Sequence, residues 1–436
     1  MDCGPPLGSN STKRHKIVPN SAVIWKKVRI FVSMIINEKT REFVRQHQHD
    51  DVRKLALQGC RDMEVDMSLA LQQIAGRQTA RCKLPTWAAV DDMVYPPHLN
   101  MEQCSSEQTA RYKAGLLKGG ERYADLTGGF GVDFYWMAKG FRERIYVEQN
   151  AELCTIAEHN FKALGVACSV CCCDTATYLT DMPEADVIYL DPARRDKHGG
   201  RTYGIADCTP NVLELLPMLT KKCGFIVLKL SPMLDWHKAV EELKCVKEVH
   251  IVSVDNECKE LVLILDGEQH DSIRICCVNN DNCFEFTWYF QTPPLHDANT
   301  IPTSCRQDVC SIQTPCLKYL YEPHASIMKA GCFDEVAARY GAYPLSANSH
   351  LFVSADEIAD FPGRKFEISA ISSMNKHELK TALPASRQAN ITVRNFPMTV
   401  QQLRQKLKMK EGGTAYLFAT TLADNSHRLF ICRKIG

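Results

Sequence analysis

No stretch of the 436 residues reaches the ~20 consecutive apolar positions that span a bilayer. The nearest approach, IWKKVRIFVSMII over 24–36, is broken by Lys26, Lys27 and Arg29, so no membrane span is expected. It offers no small-residue cleavage pattern behind a clean apolar run, which argues against a secretory signal and for a cytoplasmic protein. A disulfide framework is missing too. The 21 cysteines are scattered through a long chain, and reduced thiols are the expectation. Cys168 and Cys171 spell C-x-x-C within ACSVCCC, but no second such pair follows, and strand positions three apart face opposite ways. No metal is expected there.

Net charge is scarce, +1 overall, yet it is unevenly placed. Residues 361–436 hold thirteen Lys and Arg against four acidic residues, a net +9, which leaves −8 on residues 1–360. A basic module on an acidic body suggests a polyanionic partner.

The pattern of predicted elements divides the chain into five parts. Residues 1–33 are an extension without a readable role. Residues 34–104 read as helices, with Asp50 or Asp51 and Asp66 as caps and Gly76 near the end of DMSLALQQIAG. Ser105 and Gln108 then have the capping-box spacing ahead of SEQTARYKAGLL. Across 105–268 the apolar runs RYADL, RIYVE, VACSVCCC, ADVIYL and GFIVLKL alternate with helical stretches, the signature of a parallel sheet covered on both faces. That sheet ends differently. EVHIVSV and ELVLIL are separated only by DNECK, too short for a crossover, so they must pair as an antiparallel hairpin. Residues 269–360 read as an intermediate α+β region, with IRICCV and FEFTWYF strand-like. Residues 361–436 alternate as strand, helix, strand, helix, strand, strand, a small α+β module of ferredoxin-like plan, with KLKMK at 406–410 read as helical.

The chemistry concentrates after the first strand. ADLTGGFGVD places three glycines between a strand and a helix, where a ligand can approach the backbone near a helix N-terminus. The dinucleotide fingerprint G-x-G-x-x-G is not met, because Val132, Asp133 and Phe134 follow Gly131. Instead, four successive strands end in a carboxylate: Asp125, Glu148, Asp174 and Asp191. Ligands of open α/β sheets sit beyond the carboxyl ends of the strands, so these four should converge on one crevice. Glu148 can accept two hydrogen bonds from a ribose diol, and Asp174 can meet an exocyclic amine of adenine. Lys229 breaks the apolar strand IVLKL at its end, where a substrate or phosphate contact and a solvated strand end are equal readings.

On these residues the chain resembles the class I S-adenosylmethionine-dependent methyltransferases. DLTGGFG resembles their first motif, with Thr127 where many members have a glycine and Gly129 and Gly131 in the loop. Glu148 is similar to the ribose-binding acid, Asp174 to the adenine-contacting acid, and DPAR to the motif near the methyl group. The terminal hairpin resembles the reversed seventh strand. More narrowly, SSEQTARYKA, DLTGGFGVDF, LDPARRD, KLSPMLDW, YEPHASIMKAG and the basic tail resemble a bacterial family of such enzymes with a THUMP-like C-terminal domain.

The resemblance implies a Rossmann-like seven-stranded methyltransferase sheet, S-adenosyl-L-methionine as cofactor and RNA, tRNA or rRNA, as substrate. Asp125, Thr127, Gly129, Gly131, Glu148 and Asp174 would bind the cofactor, while Asp191, Arg194 and Lys229 would act on the substrate. Ala193 and Arg194 replace the second proline and aromatic of the D-P-P-Y motif that holds a flipped base, which puts that mode of amine methylation in doubt. The competing readings are a non-catalytic RNA-binding protein that keeps a nucleotide pocket and a methyltransferase for a non-RNA substrate.

Overall fold

The computed structural model describes residues 36–194, 204–290 and 317–435. The 1–33 extension, Arg195 and Asp196 lie outside them, and Arg194 is placed by its backbone alone.

Among the described residues six helices precede the first strand. Asp51 caps Val52–Gln58 and Asp66 caps Met67–Lys83 through side-chain oxygens that accept first-turn N–H groups. The second of these helices does not stop at Gly76. Gly76 lies inside it because a Cβ there would stand 2.4 Å from Tyr95 Cβ, so the glycine admits a fully buried ring. The cap of Glu107–Gly115 is Ser106, whose hydroxyl accepts from the Thr109 N–H, and not Ser105, which the capping-box spacing suggested. Trp87, Tyr95 and Met101 from this lead-in pack on Phe130 and Val132 behind the glycine turn.

The sheet that follows contains β1 (Gly120–Asp125), β2 (Phe141–Glu148), β3 (Ser169–Cys172) and β4 (Val187–Leu190). Two short pieces, β5 (Ala193–Arg194) and β6 (Cys208–Thr209), pair with each other apart from it. It continues through β7 (Ile226–Leu230), β8 (Val246–Val254), β9 (Glu257–Leu265), β10 (Ser272–Asn279) and β11 (Asn282–Tyr289) in the order β11-β10-β8-β9-β7-β4-β1-β2-β3. The parallel run β3-β2-β1-β4-β7 and the reversed β9 inserted beside β7 are the expected seven-strand arrangement. Asp255 and Asn256 both adopt positive φ in the β8–β9 turn, the backbone that suits the twist of a two-residue hairpin. The β10–β11 hairpin was not expected in this sheet, since 269 begins the intermediate region. It adds to the β8 edge because Ile273, Ile275 and Cys277 carry the apolar face onward.

A second sheet holds β12 (Tyr319–Pro323), β13 (Tyr343–Pro344), β14 (Phe352–Ser354), β15 (Gly363–Ser372), β16 (Asn390–Arg394), β17 (Ala415–Thr421) and β18 (His427–Ile435), ordered β13-β14-β12-β15-β18-β17-β16. Its last four strands, with helices Lys376–Ala382 and Val400–Leu407, form the small α+β module. The division proposed at 361 cuts between β12 and β15, which pair directly. KLKMK is helical only to Leu407. Lys408 turns into the left-handed region, so buried Leu407 and Met409 alternate with exposed lysines. Helix Ala325–Ala330 joins the two sheets: Ile327 and Ala330 share a core with Ile251, Ile275 and Cys277, and the Ala325 N–H donates to Asn256 Oδ1 at 2.8 Å.

Candidate active site

β1 ends at Asp125, and residues 126–131 turn the chain into helix Val132–Met137. Gly128 is fixed by packing, because a Cβ there would lie 2.1 Å from the buried Tyr146 ring. Gly129 is fixed by approach: its φ is +55°, and a Cβ would meet only the Thr127 carbonyl, at 3.8 Å, leaving the loop open to the crevice. Gly131, at φ +86°, starts the helix.

The strand ends converge as expected. Asp125, Thr127, Gly129, Gly131, Glu148, Asp174, Asp191 and Lys229 all line one crevice of about 1470 Å³. Glu148 Oε2 accepts from the Gly129 N–H at 2.9 Å and Oε1 from the Asn150 N–H at 2.8 Å, so this carboxylate shapes the glycine loop. Asp125 is 1% exposed. Its Oδ1 accepts from the Thr127 N–H at 3.0 Å, its Oδ2 has no partner among the described residues, and burial pushes the carboxyl well above the usual range. Asp174 caps helix Thr175–Asp181, with Oδ1 accepting from the Thr177 N–H and Oδ2 from its hydroxyl; those two bonds lower its pKa. Thr127 does not merely replace a glycine. Its hydroxyl accepts from the Asp191 N–H at 2.6 Å and ties the first motif to the fourth.

Lys229 is buried, with Nζ 2.6 Å from Asp191 Oδ2 and 3.8 Å from Asp133 Oδ2. Of the two readings of its sequence position, the solvated strand end does not describe it, since it is buried while lining the crevice, and its charge is matched by Asp191 and Asp133. Burial opposes the charged form, but Asp191 and Asp133 outweigh it and hold the pKa above its ordinary value. Behind this pair lie residues that motif reading passed over. Tyr189 and Ser105 donate to Asp133 Oδ2 at 2.7 and 2.8 Å, and Lys113 Nζ lies 3.1 Å from Asp133 Oδ1 and 2.5 Å from Glu260 Oε1. Asp133 and Lys113 fall inside two of the quoted motifs, so a charged residue at an inward helical position was the available signal. Glu260 gave none.

Comparison with known proteins follows this geometry. A family described as THUMP domain-like matches residues 363–434, and one described as a ferredoxin-like domain matches 319–362. A Porphyromonas gingivalis W83 protein assigned as a methyltransferase has a crystal structure that superposes with a TM-score of 0.78, at 31% identity over 93% of this chain and 99% of that one. The chain belongs to the class I methyltransferases that carry a THUMP-like C-terminal domain. Two uncharacterized S-adenosylmethionine-dependent methyltransferases of Mycobacterium tuberculosis, from strains CDC 1551 and H37Rv, are each 23% identical to this methyltransferase over 352 residues, 79% of it and 88% of the relative.

The residues present in this methyltransferase fit S-adenosylmethionine. The unpartnered Asp125 Oδ2, the open face of Gly129 and the spare lone pairs of Glu148 supply acceptors and room on one side of the crevice. A crevice ringed by carboxylates also suits a cationic sulfonium.

Proposed function

We propose that this methyltransferase modifies RNA, gripping it by phosphates through the C-terminal module. The observation that carries this reading is the distribution of basic side chains. Of the module's thirteen, Arg364 and Arg394 pair with the buried Glu322, Lys365 with Glu357, Arg404 with Glu411 and Arg433 with Glu367. Among the described residues the exposed Lys376, Lys380, Arg387, Lys406, Lys408, Lys410 and Lys434 are left for phosphates, and the half-buried Arg428 donates to the His427 carbonyl. A non-RNA substrate would leave this surface without a use, and the protein would work in the cytoplasm.

Asp125, Thr127, Gly129, Gly131, Glu148 and Asp174 hold the cofactor. When bound, S-adenosylmethionine supplies an already electrophilic methyl group, so the protein's contribution is orientation. Asp191, held by Lys229 and by its N–H bond to Thr127, accepts a hydrogen bond from the acceptor group and orients it. Arg194, three residues further along the chain, is the second residue assigned to the substrate.

Incubating the protein with radiolabelled S-adenosylmethionine and total RNA from cells lacking it tests the proposal. Label in RNA is the expected result. Cofactor binding without transfer would favour the non-catalytic reading, and label confined to protein or small molecules would overturn RNA as the substrate.

A further inference from the structure

We infer that Lys113, Asp133 and Glu260 form a buried ion network whose task is to hold the Lys229 ammonium on Asp191, which makes Lys113 and Glu260 positioning residues for methyl transfer. The inference rests on the reading of Asp191 given above. Four elements contribute: Lys113 from helix Glu107–Gly115, Asp133 from helix Val132–Met137, Lys229 from β7 and Glu260 from β9.

Structural bracing alone is a poor account of this arrangement. Buried charges lose hydration that their mutual attraction barely restores, and an apolar cluster would brace the same elements as well or better. The bonding pattern points to a different use. Asp133 Oδ2 accepts from Tyr189 and Ser105, while its Oδ1, which has no hydrogen bond among the described residues, lies 3.1 Å from the Lys113 ammonium as an ion pair. The Asp133 oxygen nearest Lys229 is this doubly hydrogen-bonded Oδ2, and with Lys113 ion-paired on the other side the Lys229 ammonium stands 3.8 Å from Asp133 and keeps its 2.6 Å bond to Asp191 at the crevice wall. Glu260 in turn holds Lys113 at 2.5 Å, with Ser105 accepting from Lys113 at 3.2 Å. Without Lys113, Asp133 competes for Lys229 and Asp191 loses its tether.

The test is a double variant, Lys113→Met with Glu260→Gln, which removes one charge of each sign so that no uncompensated ion stays buried. Rates of methyl transfer to total RNA, the KM for that RNA and calorimetric affinity for S-adenosylmethionine are measured beside Asp191→Asn. The expected split is a kcat lowered at least about tenfold, with KM and cofactor affinity within about twofold of wild type. A wild-type kcat in the folded double variant, with Asp191→Asn inactive, overturns the inference alone. An active Asp191→Asn overturns the reading of Asp191 and the inference with it. If the double variant fails to fold, Ser105→Ala removes one donor to Asp133 at little structural cost. A severalfold drop in its kcat at unchanged KM supports the network, and an unchanged kcat refutes it.

Discussion

Replacing Glu148 with alanine removes one carboxylate with two duties, and the structure allows them to be measured apart. Both oxygens accept from backbone N–H groups, of Gly129 at 2.9 Å and of Asn150 at 2.8 Å. Each retains a free lone pair at the crevice, where it can take a ribose hydroxyl. A hydrogen bond to a charged group contributes about 1.5–3 kcal/mol. Loss of that bond alone should therefore weaken S-adenosylmethionine roughly 10- to 150-fold. Release of the glycine loop adds to this, because Gly129 no longer has its acceptor. Glu148→Gln separates the contributions: its amide oxygen can satisfy one N–H, while its NH2 group faces the other donor, so affinity should fall by less than in the alanine variant. Calorimetric titration with S-adenosylmethionine and S-adenosylhomocysteine reads binding, and thermal denaturation of the unliganded protein reads loop support. An unchanged Kd in an alanine variant that melts like wild type would refute the assignment of Glu148 to the cofactor.

Three further outcomes are expected. Asp125→Asn should raise the Tm of the unliganded protein at pH 7. Burial lifts the folded carboxyl far above 3.8, so stability falls as pH rises through 3.8 and the unfolded chain ionises; the gain should vanish near pH 3, and a Tm difference independent of pH would contradict this. Gly128→Ala forces a methyl group to within 2.1 Å of the Tyr146 ring and should cost about 1–3 kcal/mol by overpacking, checked as a lowered Tm with weaker cofactor binding. Changing Lys406, Lys408 and Lys410 together to Gln should flatten the dependence of log K for single-stranded RNA on log salt by about 0.7 per lost phosphate contact, and an unchanged slope in filter binding would place the contacts elsewhere.

The parts of the fold legible in the sequence are those governed by short-range rules. Continuous apolar runs between helices announced the parallel strands, and the five-residue DNECK linker allowed only a hairpin for β8 and β9. The carboxylates at strand ends could be read because their position follows from strand direction alone. Pairings without a local cause were not legible. Nothing near IRICCV says that β10 lies beside β8 rather than in a separate layer, since its apolar face would suit either. The network behind Lys229 was hidden for the same reason: Glu260 lies 147 residues from Lys113. Ser105 and Ser106 show the limit from another side, because two adjacent serines can each start a helix and only the packing of one against Asp133 chooses.

The helix Ala325–Ala330 has a consequence for how the molecule comes apart. Ile327, Ala330 and Tyr321 belong to the same apolar cluster as the buried faces of β7, β8, β9 and β10. The sheet that carries the basic module therefore cannot melt away at its boundary without opening the methyltransferase core to water. Denaturation followed by intrinsic fluorescence, where Trp236 and Trp288 report on the first sheet and the tyrosines of β12 on the second, should give one cooperative transition. A chimaera that exchanges modules between relatives should accordingly fold only when everything from β12 onward is transplanted together with matching contacts on β8 and β10.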